Sequence, residues 1–344
     1  MQTHIHRTIQ WWGGGILAAF IVVCIAWFSR EESPLLWDAG SFYLAAADYN
    51  ITQDRPHLPG YYLHIYAVRF SRIFFSPGSA GVALSILWAA VAVLLLHRVL
   101  IRYYTPKTAL ISALLFATNP MLLFFASLSE TYTFDAFFGI ALFACFTIRH
   151  RTSFLRWELL SLPLMAFALG YRATSVFLVA PLAAVLWWRY YQSNEKTVVA
   201  KQFALSLFIA IAVMLLWLIP MMNDCGGVAS YIALYSTHNP VMKSSIIQNA
   251  VTMMSYSLYA GTALVVLWIA GLKVPLSNDP PLLPRIPLLL WLWIPLILFV
   301  IGFYGKGYAL LCIPAACLLL HPVVARRLWL AGVLIVLQCM AYGF

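Results

Sequence analysis

The residues able to do chemistry are concentrated in one stretch, residues 35–72, LLWDAGSFYLAAADYNITQDRPHLPGYYLHIYAVRFSR. It holds Asp38, Asp48, Asp54, Arg55, His57 and a Pro-x-x-Pro turn between two apolar runs. A carboxylate that reaches a substrate hydroxyl can serve as general base, and an arginine can bind phosphate through paired N–H groups. Pro56 and Pro59 fix φ on either side of His57, and Gly60 releases the chain into the next helix. The turn therefore presents Arg55 and His57 in defined directions, as a binding site requires. As a metal ligand His57 is weakly supported, because no second His or Cys follows at ligand spacing.

Asp38 follows Trp37, an aromatic suited to a membrane interface, and is placed to cap a helix running to about Tyr49. Phe42, Ala45, Ala46 and Tyr49 fall on one face of that helix, which would lie on the bilayer surface. Capping by itself is the competing explanation for Asp38. The same choice arises at SLSETYTFD, residues 127–135, where Ser127 and Glu130 have capping-box spacing. GYRATS, residues 170–175, sets Arg172 between two apolar runs, and FYGKGY, residues 303–308, does the same with Lys306. Isolated cations at helix ends suit a phosphate near the membrane surface; snorkelling to lipid headgroups is the plainer use.

The elements that position these residues are membrane helices. Of the 344 residues 63% are hydrophobic and only 9% charged, where soluble domains carry about 25% charged residues. The net charge of +10 is spread in small clusters between apolar runs, which argues topology and not a nucleic-acid patch. A spanning helix needs about 20 apolar residues. Such runs occur near 11–28, 79–101, 108–126, 130–148, 157–170, 171–190, 202–222, 248–272, 286–303, 306–321 and 327–344. The expected fold is an all-α polytopic membrane protein of about eleven transmembrane helices, a single domain over 1–344. Residues 29–78 form its first outer loop, with interfacial helices. The run 60–75 carries His64, Arg69 and Arg72 and reads as interfacial or re-entrant, while 11–28 reads as a retained first helix.

Charge supports this topology. With the N-terminus inside and 60–75 not spanning, 14 Lys and Arg fall inside and 7 outside, as the positive-inside rule asks. The acids do the reverse. Glu158, Glu195 and Asp279 fall inside; Glu31, Glu32, Asp38, Asp48, Asp54, Glu130 and Asp224 fall outside, with Asp135 one turn below Glu130. Carboxylates have little topological preference, so a chemical site on the outer face is the better cause. Five cysteines lie within spans and only Cys225 in an outer loop, a lone exposed thiol without a disulfide partner.

Taken in order, these segments resemble the polytopic GT-C glycosyltransferases that use polyprenyl-phosphate sugars, among them protein mannosyltransferases and the lipid A aminoarabinose transferase. The likeness is to small bacterial forms without a soluble domain. DAGSFYLAAA followed by RPHLPGYYLHI resembles the family's first outer loop, with Leu58 in place of a proline. SETYTFDAF, GYRATS and GKGYALLCIP resemble its later segments, Gly307, Tyr308, Leu310 and Pro314 matching in the last. The resemblance spans most of residues 11–322; residues 223–247 and 273–285 match nothing in the family and are where acceptor specificity would lie.

The resemblance implies a hexosyl or pentosyl transferase working at the periplasmic face of a bacterial inner membrane. Asp38 would be the catalytic base, deprotonating an acceptor hydroxyl that attacks the sugar with inversion. Arg172 and Lys306 would hold the phosphate of the polyprenyl-phosphate donor. Glu130 and Asp48 would orient the acceptor, a glycan, lipid or protein, or help hold a divalent metal ion. Arg55, His57, Tyr62 and Tyr308 would contact sugar or phosphate. The alternative is a transporter or flippase of a lipid-linked or small polar substrate. It would want charges deep in several spans and has no internal repeat to support it; a scaffold would not need the ordered acids and bases.

Overall fold

The computed structural model describes residues 2–148, 157–238, 245–271, 283–301 and 307–343. Among them the chain forms helices and no strand: α1 (Gln2–Phe28), α2 (Trp37–Ala47), α3 (Tyr62–Ser71), α4 (Pro77–Tyr103), α5 (Pro106–Ala117), α6 (Pro120–Ala126), α7 (Tyr132–Thr147), α8 (Ser161–Ser193), α9 (Lys196–Asp224), α10 (Val228–His238), α11 (Ile246–Gly271), α12 (Arg285–Ile301), α13 (Ile313–Arg326) and α14 (Leu328–Tyr342). Local sequence sets several starts. Ser76, Thr105 and Asn119 cap α4, α5 and α6 by accepting backbone N–H groups, each followed at once by proline. That pairing meets the unsatisfied donors of a first turn with a residue that has none to lose.

Two expected spans are broken and two others are joined. The run 108–126 becomes α5 and α6, bent by 59° at the Asn119 cap, and α11 bends by 65° between Tyr256 and Leu258. The runs 157–170 and 171–190 join in α8, whose helical backbone is interrupted only at Arg172 (φ −156°, ψ 93°). The two halves of α8 reverse direction there. Trp187 Nε1 donates to Ser161 Oγ at 3.1 Å, whereas 26 residues of continuous helix would hold them about 39 Å apart. α9 then runs alongside the first half, with Ser206 Oγ donating to the Leu159 carbonyl and Trp217 Nε1 to that of Ala166. α3, ten residues long, reaches about 15 Å, half the thickness of a bilayer core.

The core lies among α1, α4, α5, α7 and α8, with Phe116, Phe134, Phe138 and Phe143 fully buried. α1 and α4 approach closely at Gly14 and Gly15, where any Cβ would press on the His97 ring. Small residues at a helix contact are the usual way membrane helices come together. All six cysteines are free, but Cys225 is buried against Tyr62 and Ile51 at the end of α9, so the exposed thiol expected there does not exist.

Candidate active site

Four segments meet at the end of the bundle that carries the first loop: α2 with the following turn, the α6–α7 turn, the reversal in α8, and the start of the 3-10 turn Tyr308–Leu311. Asp38 lies in the first turn of α2, but the cap position is Leu36 and no side chain caps the helix. The expected capping role is therefore absent, and the carboxylate faces His57 instead, Oδ1 to Nε2 3.8 Å. His57 Nδ1 lies 3.0 Å from Ser41 Oγ, and its ring sits among Trp37, Phe42 and Tyr61. Burial lowers the His57 pKa and the Asp38 charge opposes that shift.

Glu130 precedes α7 in a turn pinned by Ser85, whose Oγ donates to the Glu130 carbonyl at 2.7 Å. The expected capping box is not formed: Ser127 Oγ donates back to Phe124, and the cap of α7 is Thr131, without a side-chain bond. The Glu130 side chain is 1% exposed, and neither carboxylate oxygen has a hydrogen-bond partner. The Ala39 and Thr131 N–H groups face it short of hydrogen-bond geometry. Burial, and then the Asp38 charge, push its pKa up to about 8 against the pull of Arg172. Near neutral pH it is mostly a neutral acid, able both to donate and to accept.

Arg172 sits at the reversal of α8, 2% exposed. Its Nε lies 3.1 Å from Asp135 Oδ2, and its Nη1 donates to Thr131 Oγ1. Ser175 Oγ donates to the other Asp135 oxygen. The guanidinium lies over the rings of Tyr132 (4.2 Å) and Tyr308 (4.9 Å). Nη2 has no partner among the described residues, so a charge-assisted donor remains for an anion. At Gly307 a Cβ would run into the Tyr132 ring. Gly307→Ala is expected to cost about 1–3 kcal/mol, the usual penalty of overpacking, read as a lower melting temperature of the detergent-solubilised protein.

Not every expected residue joins this group. Asp48 and Arg55 pair with each other at 3.2 Å on the exposed surface, across the bridge between Asn50 and Arg55. Tyr62 packs with Tyr49 and Tyr66 and against α9. Lys306 lies outside the described residues, next to Gly307. No cluster of three or more His, Cys, Asp or Glu side chains fit to hold a metal ion occurs among the described residues. Three residues were missed. Tyr61, in the left-handed region at φ 43°, packs at a tilt against the His57 and Phe42 rings; Tyr132 carries Arg172; Ser41 touches His57. A glycine followed by two tyrosines was visible, but which tyrosine faced the site depended on where α3 began.

A groove of about 490 Å³ opens between α11, α12 and α13, walled by Leu264, Trp268, Leu292, Trp293, Ala309 and Ala316. No family model matches the chain, and no curated protein matches it in sequence. Solved structures do share its fold. The crystal structure of ArnT from Cupriavidus metallidurans bound to undecaprenyl phosphate matches with TM-score 0.69 at 12% identity, over 90% of this chain and 60% of that one. ArnT in the apo state matches with TM-score 0.67 at 14% identity, over 91% of this chain and 60% of that one. The chain thus spans about 60% of the length of ArnT.

Proposed function

We propose, from the fold shared with ArnT and the residues gathered at one end of it, that this chain is a membrane glycosyltransferase. It moves a hexosyl or pentosyl group from a polyprenyl-phosphate donor to an acceptor hydroxyl at the outer, periplasmic face of a bacterial inner membrane, with inversion. The observation that carries the reading is the convergence of Asp38, Glu130 and Arg172 from three separate segments. An uncapped carboxylate stands there near a buried arginine with a free donor.

The acceptor hydroxyl gives its proton to Asp38 as its oxygen attacks the anomeric carbon. The bond from that carbon to the phosphate oxygen breaks, and the polyprenyl phosphate leaves. Charge developing on the leaving phosphate meets Arg172 Nη2, held ready by Asp135, Thr131 and the two tyrosine rings, so little reorganisation is needed at the moment of reaction. Lys306, two residues before Tyr308 in sequence, is the second cation for the same phosphate. Glu130, mostly neutral, hydrogen-bonds the acceptor or the sugar. The apolar groove that Ala309 lines takes the first isoprene units, for which its tryptophan and leucine walls are chemically suited.

The test is release of polyprenyl phosphate by the full chain in membranes supplied with a pool of polyprenyl-phosphate sugars and candidate acceptors. Release that depends on the chain and on an acceptor supports the reading. Movement of a lipid-linked sugar between leaflets with no release, across the sugars and acceptors tried, would replace it with a transporter.

A further inference from the structure

The first loop holds a second proton acceptor beside Asp38. Ser41 has one hydroxyl proton, which it donates to the Asp38 carbonyl at 3.2 Å. The same oxygen lies 3.0 Å from His57 Nδ1; with the Ser41 proton on the Asp38 carbonyl, Nδ1 donates in that bond and carries the ring proton. In the neutral ring Nε2 then presents a lone pair. It faces Asp38 Oδ1 at 3.8 Å. Two acceptors opposite one another with no proton between them lie beyond the 2.7–3.2 Å of a hydrogen bond. One added proton would turn mutual repulsion into attraction and draw them together.

We propose that His57 is a positioning and relay residue that acts through Asp38, the two sharing the proton taken from the acceptor. This rests on the transferase reading above. The acceptor O–H bond breaks, its oxygen bonds the anomeric carbon, and the bond from that carbon to phosphate breaks. The proton passes through the Asp38 carboxylate to Nε2, giving an imidazolium beside a restored carboxylate, and then leaves to water. The arrangement is stiff. Trp37, Phe42 and Tyr61 hold the ring in place, and the Gly60 N–H is bonded to the His57 carbonyl. Tyr231 OH reaches across from α10 to the Pro59 carbonyl. The charged and titratable groups that act on His57 are Asp38 from α2, Asp54 from its own loop, Arg172 from α8 and the Tyr61 phenol against its ring. Its lowered pKa, from burial first, keeps the ring neutral and able to take a proton near neutral pH.

The experiment is single-turnover transfer against pH for the wild type, His57→Gln, His57→Ala and Ser41→Ala, with donor affinity measured alongside. In His57→Gln the rate at neutral pH is expected to fall about 10- to 100-fold, the lower part of the range for acid–base catalysis, with donor affinity unchanged. Its acid limb should move to lower pH, because the imidazole that binds a proton in the coupled pair is gone. His57→Ala should recover rate on adding imidazole. Ser41→Ala frees Nδ1, lets the ring turn its proton toward Asp38, and should slow transfer without weakening donor binding. A wild-type acid limb in His57→Gln, or slow His57→Ala that imidazole does not rescue, would overturn the relay while Asp38→Asn stayed inactive. A wild type that transfers nothing would sink the transferase reading, and the relay with it.

Discussion

Asp38→Asn is expected to slow sugar transfer by about 10²- to 10⁴-fold, the range contributed by a positioned general base, while leaving the fold unchanged. Asparagine keeps the size and shape of the side chain and removes only the site that takes a proton. The structure gives reason to expect little loss of stability. The Asp38 side chain makes no capping bond in α2, its carboxylate is only 3.8 Å from His57 without a hydrogen bond, and α2 is held by Phe42, Ala45 and Ala46. The same helix is gripped at its far end by Arg69, which donates to the Ala45 and Ala46 carbonyls. The measurement is release of polyprenyl phosphate by wild type and variant at matched expression, with melting temperature as the check on folding. Equal release from both, with equal melting, would remove Asp38 from the mechanism and leave Glu130 as the next carboxylate to try.

How far the site was legible depends on the kind of information each residue needed. Arg172 could be found because a cation on the outer side of two adjacent apolar runs has little reason to be there unless it does something. What the sequence did not reveal is its setting. That Asp135, one turn into the next helix, supplies its counter-charge follows only once α7 and the reversal in α8 lie side by side. Asp38 was visible as an acid at a helix start, yet its neighbours decide between cap and base, and the cap went to the backbone of Leu36. Tyr61 and Tyr62 show the limit most clearly. They are chemically identical and adjacent, and a one-residue choice of helix start sends one toward His57 and the other into the cluster under α9. Exposed ion pairs mislead for the opposite reason. Asp48 and Arg55 stood out as charges in a stiff loop, and across a short hairpin they satisfy each other. The helices themselves were readable from apolar run length, because lipid leaves few alternatives to a hydrogen-bonded helix; the breaks at Asn119 and within α11 depended on packing between helices.

Arg172 is the position where stability and catalysis must be separated before either can be measured. Arg172→Ala would leave Asp135, which is fully buried, without its counter-charge, and breaking a buried ion pair from one side costs about 3–5 kcal/mol. Lost activity in that variant would therefore say little about phosphate. Arg172→Lys keeps a positive charge within reach of Asp135 but gives up the planar fork, and with it the spare Nη2 donor and the stacking between Tyr132 and Tyr308. It is expected to fold and to lose about 10²- to 10³-fold in transfer rate, the usual loss when one preorganised donor to a developing anion is removed. The double variant Arg172→Met, Asp135→Asn removes both charges together. Buried pairs replaced by neutral groups of similar volume are often tolerated, so it should melt nearer the wild type than Arg172→Ala while transferring no faster than Arg172→Lys. A double variant that regains stability and wild-type transfer would make Arg172 a structural partner of Asp135 alone, and the phosphate would have to be held elsewhere, with Lys306 the first residue to replace.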